Sequence, residues 1–196
     1  MSHMIKDGTG RGFLVKVTSE NELSVESVSE SIQHHISSVK EQAYQVIGVS
    51  TLAASTVVAL HVKNTSADKN LVVTHIRHQV VDQSGGTAIP NSSNYFSVAL
   101  GRTYSTGGSL VTPVNVFGGS GNAAEVTAYS SAPTIVGTAD EIDRWYTKAE
   151  ADMNTFNKEG AVIIPPNKTI ELSYVGDQTG GIIYARLSFI MRDIVR

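Results

Sequence analysis

The chain has 196 residues, of which 41% are hydrophobic and 17% are charged, and it carries a formal net charge of −3 at pH 7. This length suits one sizeable domain with its own core, and the low charge, without a Lys/Arg cluster, argues against nucleic acid or an anionic membrane as a partner. The absence of cysteine excludes a disulfide framework and any thiolate metal site. No apolar run is long enough to cross a bilayer, and residues 1–4 lack the charged and apolar regions of a signal peptide.

Residues 1–28 are predicted to form an extended arm. The run Asp7-Gly8-Thr9-Gly10-Arg11-Gly12 places glycine at alternate positions, so its backbone is free to adopt positive φ angles. Two short alternating strands follow, at 13–17 and 23–28, around a polar turn. The glycine run is not a phosphate loop, because it lacks a preceding strand, a Lys-Ser/Thr ending and a following helix.

The apolar residues of this arm are too few to form a core of their own. They must therefore pack on the main domain or on a neighbouring subunit, and segments of this kind bind by adding a strand to an exposed sheet edge. The register would come from Phe13, Val15 and Val17, which face one way. The predicted partner-binding residues of the arm are Asp7, Gly8, Gly10, Gly12, Phe13, Val15 and Val17.

A β-sandwich domain is predicted for residues 29–196. Its first segment, 29–39, forms a weak helix or a strand, because near-helical spacing of aliphatic residues is interrupted by His34 and His35. Aliphatic residues then predict a strand at 43–50.

The segment 56–81 is the part around which the rest of the domain is predicted to be organised. Residues 56–63 alternate apolar side chains with a mixed face that carries His61 and Lys63, and residues 71–81 alternate again. The polar run between them has the composition of a turn. The two strands are therefore predicted to pair as a half-buried antiparallel hairpin that a second sheet covers.

The remaining chain reads as short strands separated by turns. They are predicted at 95–100, on both sides of a glycine loop within 110–129, and in a strongly β ending at 160–164, 169–175 and 182–195. The span 140–157 suits either a helix after an acidic first turn or a pair of edge strands, and both remain open. Many short strands without a repeated βα unit predict an antiparallel sandwich or barrel with Greek-key connections.

Three histidines on the predicted hairpin are candidates for a metal site. Opposite strands can bring His61 near His75 or His78, as in cupin-type sandwiches. The spacing argues against this, because side chains three residues apart on a strand face opposite sides. No glutamate occupies a strand position that would complete a facial triad, so solvent-facing or interface histidines are the favoured interpretation.

The run Gly118-Gly119-Ser120-Gly121-Asn122 is close to the pattern of a nucleophile elbow. It ends in Asn122 where the motif has glycine, and no strand-turn-helix context surrounds it. Both departures argue against a catalytic serine.

A sugar-binding or glycosidase cleft is the other candidate. Asp140, Glu141 and Asp143 lie beside Trp145 and Tyr146, and paired carboxylates with an aromatic platform are what such clefts use. A solvated face is favoured, because nothing in the sequence shows these carboxylates facing one another. Trp145 and Tyr146 are kept as a candidate sugar platform, and no catalytic, cofactor-binding or metal-binding residue is predicted.

The N-terminal run from Asp7 to Gly12, followed by Val15, Val17 and residues 21–25, resembles the opening of jelly-roll structural proteins from tailed-bacteriophage virions. The ending is similar as well, because it has a strand, the Pro165-Pro166 turn and a closing strand pair. The resemblance covers the two ends and the predicted hairpin. It implies an all-β, jelly-roll-like sandwich with an N-terminal arm, and a non-enzymatic virion component of the capsid-decoration or neck type.

The resemblance also implies partners and a location. The expected partners are a major capsid or neck protein and further copies of the chain, within a virion assembled in the host cytoplasm. No cofactor, nucleic acid or membrane is expected. A homotrimer is predicted partly from the resemblance and partly because Val57, Val73, Ile183 and Leu187 would otherwise meet water.

Two other classes of function remain as alternatives. A carbohydrate-binding module or a receptor-binding, lectin-like sandwich would stack Trp145 or Tyr146 on a sugar face. A metal-dependent enzyme of the cupin kind would need a bound transition metal.

Overall fold

The fold is that of a computed structural model, which describes residues 3–6, 12–15, 36–37, 40–82, 94–146, 154–177 and 179–194. The chain divides into two units, Met1–Ser31 and Ile32–Arg196. In the first unit, strand β1 (His3–Lys6) pairs antiparallel with strand β2 (Gly12–Val15). The sequence predicted a strand at 13–17 but paired it with 23–28, which lies outside the described residues.

The second unit is built from two large antiparallel sheets and one small one. The six-stranded sheet has the order β12 (Asp140–Tyr146), β6 (Tyr95–Leu100), β14 (Thr169–Val175), β4 (Thr56–Asn64), β10 (Val126–Ser130) and β8 (Ser109–Val111). The five-stranded sheet has the order β13 (Asn154–Ile164), β5 (Lys69–Asp82), β15 (Gly181–Asp193), β3 (Ala43–Thr51) and β9 (Val114–Asn115). Strands β7 (Thr103–Thr106) and β11 (Thr134–Val136) form the small sheet.

The connectivity confirms the predicted jelly-roll-like sandwich. The strands β3-β15-β5-β13 in one sheet and β4-β14-β6-β12 in the other form the eight-stranded frame of two Greek keys. The chain between β6 and β12 is an insertion in this frame. It supplies β8 and β10 to one sheet and β9 to the other, so it extends both sheets beyond the frame on the side of β3 and β4.

The predicted central hairpin is wrong, although both of its strands exist. Strand β4 pairs with β10 and β14, whereas β5 pairs with β13 and β15 in the opposite sheet. Asn64 explains the crossing, because its amide nitrogen donates to the carbonyl oxygens of Lys69 and Ile164, both at 2.9 Å. Its side-chain oxygen accepts from the backbone nitrogen of Ser66 at 3.0 Å. These bonds turn the chain from one sheet to the other.

Strand β4 is buried on both faces, not half-buried as predicted. The side chains of residues 57–62 are all buried, including His61. One face of β4 packs in the core between the two sheets, and the other lies beneath the start of the insertion, where the carbonyl oxygen of Arg102 is 3.1 Å from His61 Nε2. The polar side chain of His61 in the alternating pattern therefore marks a buried polar contact and not a solvent-exposed face.

The apolar residues that partly led to the prediction of a homotrimer are not exposed to water. Val57, Val73, Ile183 and Leu187 are all buried in the core between the two sheets. Their apolar surface needs no partner to cover it, so this reason for a trimer does not hold. The trimer itself stays a prediction.

The other sequence expectations fall on strands or outside the described residues. The span 140–157, which suits either a helix or a pair of edge strands, contains β12 and the first residues of β13. These are edge strands of different sheets. The strands predicted at 43–50, 95–100 and the β ending are confirmed, with β13 beginning earlier, at Asn154. Of residues 29–39 only Ile36 and Ser37 are described, and both have helical geometry. Within the described part of the chain, no helix is long and apolar enough to span a membrane.

Candidate functional site

The predicted partner-binding residues of the arm are only partly described. Gly12, Phe13 and Val15 lie in β2, so Phe13 and Val15 are in a strand as predicted, and the strand begins one residue earlier, at Gly12. Asp7, Gly8, Gly10 and Val17 lie outside the described residues. The predicted docking role of the arm stays a prediction.

Trp145 and Tyr146 face opposite sides of β12. The indole of Trp145 packs against the core, stacked on Phe156 with ring centroids 3.7 Å apart, and the ammonium of Lys158 lies 4.9 Å from its ring centroid. Tyr146 is 54% exposed on the outer side and meets Tyr95 edge to face at 5.8 Å. These two rings therefore cannot form one continuous sugar platform.

The acidic residues before Trp145 do not face one another as a catalytic pair. Glu141 accepts from Arg144 Nε at 2.8 Å and from Ser97 Oγ at 2.7 Å, and these bonds hold the pKa of its carboxyl below the usual range. Asp143 pairs instead with Lys158 of β13. Glu141 and Asp143 are each held by a different cation, which is the arrangement of structural ion pairs rather than of a glycosidase.

The three histidines occupy three different environments. His61 faces the insertion, and His75 is half-buried on the outer face of the five-stranded sheet. His78 lies between the sheets, stacked on Phe96. Among the described residues, no three His, Cys, Asp or Glu side chains lie close enough together to hold a metal ion.

Ser120 has a structural role in the glycine loop between β9 and β10. Its Oγ accepts from the backbone nitrogen of Asn122 at 3.1 Å and from Asn115 Nδ2 at 3.2 Å. Asn115 Nδ2 also donates to the carbonyl oxygen of Glu41 at 2.7 Å, which ties the loop to the start of β3. This hydroxyl closes a turn and has the contacts of a loop-stabilising group.

A polar row, which sequence reasoning missed, crosses the outer face of the six-stranded sheet. It consists of Tyr129 of β10, His61 of β4 and Glu171 of β14, which are opposite one another in register. Their side chains point away from the core, because the residues that flank them in the chain point into it. Tyr104 of the insertion stacks on Tyr129 with ring centroids 3.7 Å apart. The row is therefore covered rather than solvated.

Arg102 closes the polar row by binding Glu171 bidentately. Its Nε and Nη2 donate to the two carboxylate oxygens at 2.8 and 2.7 Å, and Ser173 Oγ donates to Glu171 at 3.3 Å. The side chains of Arg102 and Glu171 are 23% and 5% exposed. A paired, hydrogen-bonded carboxylate of this kind is satisfied, and it has no free oxygen with which to act as a general base.

His61 completes the row as a neutral ring. Burial lowers its pKa, and its Nε2 lies within hydrogen-bond distance of the Arg102 carbonyl oxygen, so the proton belongs on Nε2. Nδ1 is then buried without a hydrogen-bond partner among the described residues. The row as a whole fastens the insertion to the sheet. The sequence does carry a signal for it, since Glu171 is the one charged residue of strand β14.

His78 is a buried histidine at the centre of an aromatic stack. It is 2% exposed, and its ring lies 4.1 Å from the Phe96 centroid and 5.6 Å from that of Phe156. Neither ring nitrogen has a hydrogen-bond partner among the described residues. Burial lowers the pKa of His78 to about 4, so the ring is neutral at pH 7.

The outer face of the five-stranded sheet carries what we term the basic–apolar patch: Ile47 and Val49 of β3, Tyr184 and Arg186 of β15, and Arg77 of β5. Ile47, Val49 and Tyr184 are 41%, 37% and 39% exposed. Arg186 lies opposite both Ile47 and Arg77 in register. Partly exposed apolar side chains beside cations that have no ion-pair partner among the described residues are the composition of a binding surface rather than of a catalytic site.

No known protein-family model matches the sequence, and comparison with curated proteins finds no significant match.

Proposed function

We propose that the chain is a non-enzymatic structural component of a tailed-bacteriophage virion, where it binds its own copies and a capsid or neck protein. The proposal rests on a contrast between two parts of the sandwich. Its interior is filled with packed side chains, whereas the basic–apolar patch on the outer face of the five-stranded sheet is partly exposed. Jelly-roll sandwiches serve as viral capsid domains, lectins and cupins, so the fold alone leaves these three classes to compare.

The interior argues for a scaffold. In the interior, Phe96, His78, Phe156 and Trp145 stack on one another, and the described residues hold no cluster of three His, Cys, Asp or Glu side chains. Two carboxylates that could have served an enzyme are each bound to a cation. Asp143 is paired with Lys158, and Glu171 of the polar row is paired with Arg102. This set of contacts favours a binding or structural role over a metal-dependent enzyme.

The outer face argues for a partner. The basic–apolar patch places three large, partly exposed apolar side chains beside two arginines on neighbouring strands. Repeated structural proteins form closed rings when a surface of one copy binds a different surface of the next copy, and the homotrimer belongs to this proposal. The virion, assembled in the host cytoplasm, is the location that it implies.

The proposed docking role of the arm gives the test. Deletion of residues 1–17 is expected to leave the thermal transition of the remaining chain within a few degrees of the parent, because a short segment with few apolar residues adds little to the core. The same deletion is expected to abolish co-sedimentation with purified particles. A chain of equal length in which residues 1–17 are replaced by a Gly/Ser segment controls for size. Unfolding of the deleted chain, or unchanged attachment, would contradict the docking role.

A carbohydrate-binding module is the second candidate, and the ledge formed by Tyr95, Arg144 and Tyr146 favours it. Tyr146 is exposed, and the Arg144 guanidinium lies 4.0 Å from the Tyr95 ring centroid. An exposed tyrosine beside a cation is a surface on which a sugar can stack and hydrogen-bond. Glycan-array binding that Tyr146→Ala abolishes, with the chain still folded, would select this candidate over the virion role.

A further inference from the structure

The outer face of the five-stranded sheet is covered at one end and open at the other. At the covered end, Ala43, Val72 and Ile190 form a small buried cluster with Ile36. At the open end lies the basic–apolar patch, which no described residue covers. Because both ends belong to one continuous sheet face, the open end has the geometry of a surface that another segment can cover in the same way.

The two arginines of the patch lack an acidic partner. Arg77 and Arg186 are directly opposite each other on β5 and β15, and neither forms an ion pair with a carboxylate among the described residues. Like charges directly opposite each other on one sheet face are unfavourable. Both are half-buried, so their aliphatic stems lie against the sheet while the guanidinium groups remain available. The two guanidinium groups are therefore available to bind carboxylates from outside the described residues.

A segment with the complementary chemistry is present in the sequence. Residues 20–30 carry four glutamates, at positions 20, 22, 26 and 30, together with Leu23, Val25 and Val28. Between residues 17 and 39 there is no lysine or arginine. Acidic and aliphatic side chains are thus interspersed over a length that suits a single strand-like segment on a sheet face.

We propose that the basic–apolar patch binds residues 20–30 of a second copy of the chain. The glutamate carboxylates of that segment pair with Arg77 and Arg186, and its aliphatic side chains cover Ile47, Val49 and Tyr184. The inference rests on the proposed self-assembly, and it adds the contact by which one copy recognises the next. Charge pairs at a partly open surface are screened by salt, so the association weakens as ionic strength rises.

Two charge-reversed full-length chains test the contact. The first carries Arg77→Glu and Arg186→Glu, and the second carries Glu22→Lys and Glu26→Lys. Each chain alone opposes like charges at its own contact and is expected to associate at least ten-fold more weakly than the parent. When the two are mixed, the acidic patch of the first meets the basic segment of the second, and the basic patch of the second meets the acidic segment of the first. The mixture is therefore expected to regain association.

The measurement is sedimentation velocity of each chain and of the equimolar mixture, with one chain isotopically labelled so that native mass spectrometry identifies mixed complexes. Lys168→Glu, at an exposed turn away from the patch, is the matched charge control and is expected to associate like the parent. Circular dichroism establishes that every variant is folded.

Three outcomes would overturn the inference: a parent chain that is monomeric at micromolar concentration, a patch-reversed chain that associates as tightly as the parent, or a mixture that associates no better than its separate components. The first is also the result expected if residues 20–30 of a chain bound its own domain. None of these outcomes decides whether the chain belongs to a virion, which an inventory of particles tests separately.

Discussion

Lowering the pH from 7 to 4 is expected to destabilise the folded chain by about 3 kcal/mol through His78 alone. Burial lowers the pKa of His78 from the ordinary 6.5 to about 4. Between these two values the unfolded state binds a proton that the folded state does not. The stability is therefore fully present above the unfolded pKa and is lost progressively as the pH falls toward 4. Urea unfolding at a series of pH values measures this change.

The physical reason is that a protonated His78 would be a cation without a partner. Phe96, Phe156 and Trp145 surround the ring, and no hydrogen bond to either ring nitrogen is present among the described residues. Lys158, which lies over the Trp145 ring, is already paired with Asp143. His61 acts in the same direction, because burial lowers its pKa as well.

Substitution of His78 separates its contribution from that of the carboxylates. His78→Phe and His78→Leu are both expected to flatten most of the pH dependence between 6.5 and about 4.5, a range in which most carboxyl groups stay ionised. His78→Phe keeps a planar ring and His78→Leu replaces it with a branched aliphatic side chain, so a packing fault specific to one shape does not decide the result. His75→Gln, at a half-buried position on the outer face, is the control that keeps the slope. An unchanged slope in both His78 variants would show that the acid sensitivity arises elsewhere.

Arg102→Ala is expected to destabilise the chain by about 3 kcal/mol, because it leaves the Glu171 carboxylate buried without its bidentate partner. Glu171 is 5% exposed and would keep only the Ser173 hydroxyl of its three side-chain donors. The free energy of unfolding in urea at pH 7 measures the loss.

A matched control is the other arginine–glutamate pair on the same sheet. Arg144 and Glu141 are 41% and 34% exposed, so Arg144→Ala is expected to cost much less than Arg102→Ala. Replacing both members of the buried pair, with Arg102→Met and Glu171→Leu, is expected to regain much of the loss, because no unpaired charge remains. Equal effects of Arg102→Ala and Arg144→Ala would contradict the buried ion pair.

The fold class could be predicted from the sequence because strand formation depends on local patterns. Alternation and turn residues located β3, β4, β5, β14 and β15. Pairing depends on contacts between distant residues, which no local pattern contains. The segment between β4 and β5 reads as a hairpin turn, but Asn64 binds the distant carbonyl of Ile164 and directs the chain into the opposite sheet.

The candidate sites were harder to predict for the same reason. His61 and Lys63 suggested a solvated face, yet the insertion more than thirty residues later in the chain covers His61. Trp145 and Tyr146 are neighbours in sequence, but a strand turns successive side chains to opposite faces, so one ring enters the core. The arginines of the basic–apolar patch come from separate strands, and only the register of β5 and β15 brings them together.

Quantitative mass spectrometry of purified virions tests whether this chain is a structural component of a bacteriophage particle. The proposal predicts that the chain is present in many copies per particle and remains after washes that remove host proteins. Purified, infectious particles that lack the chain would contradict it.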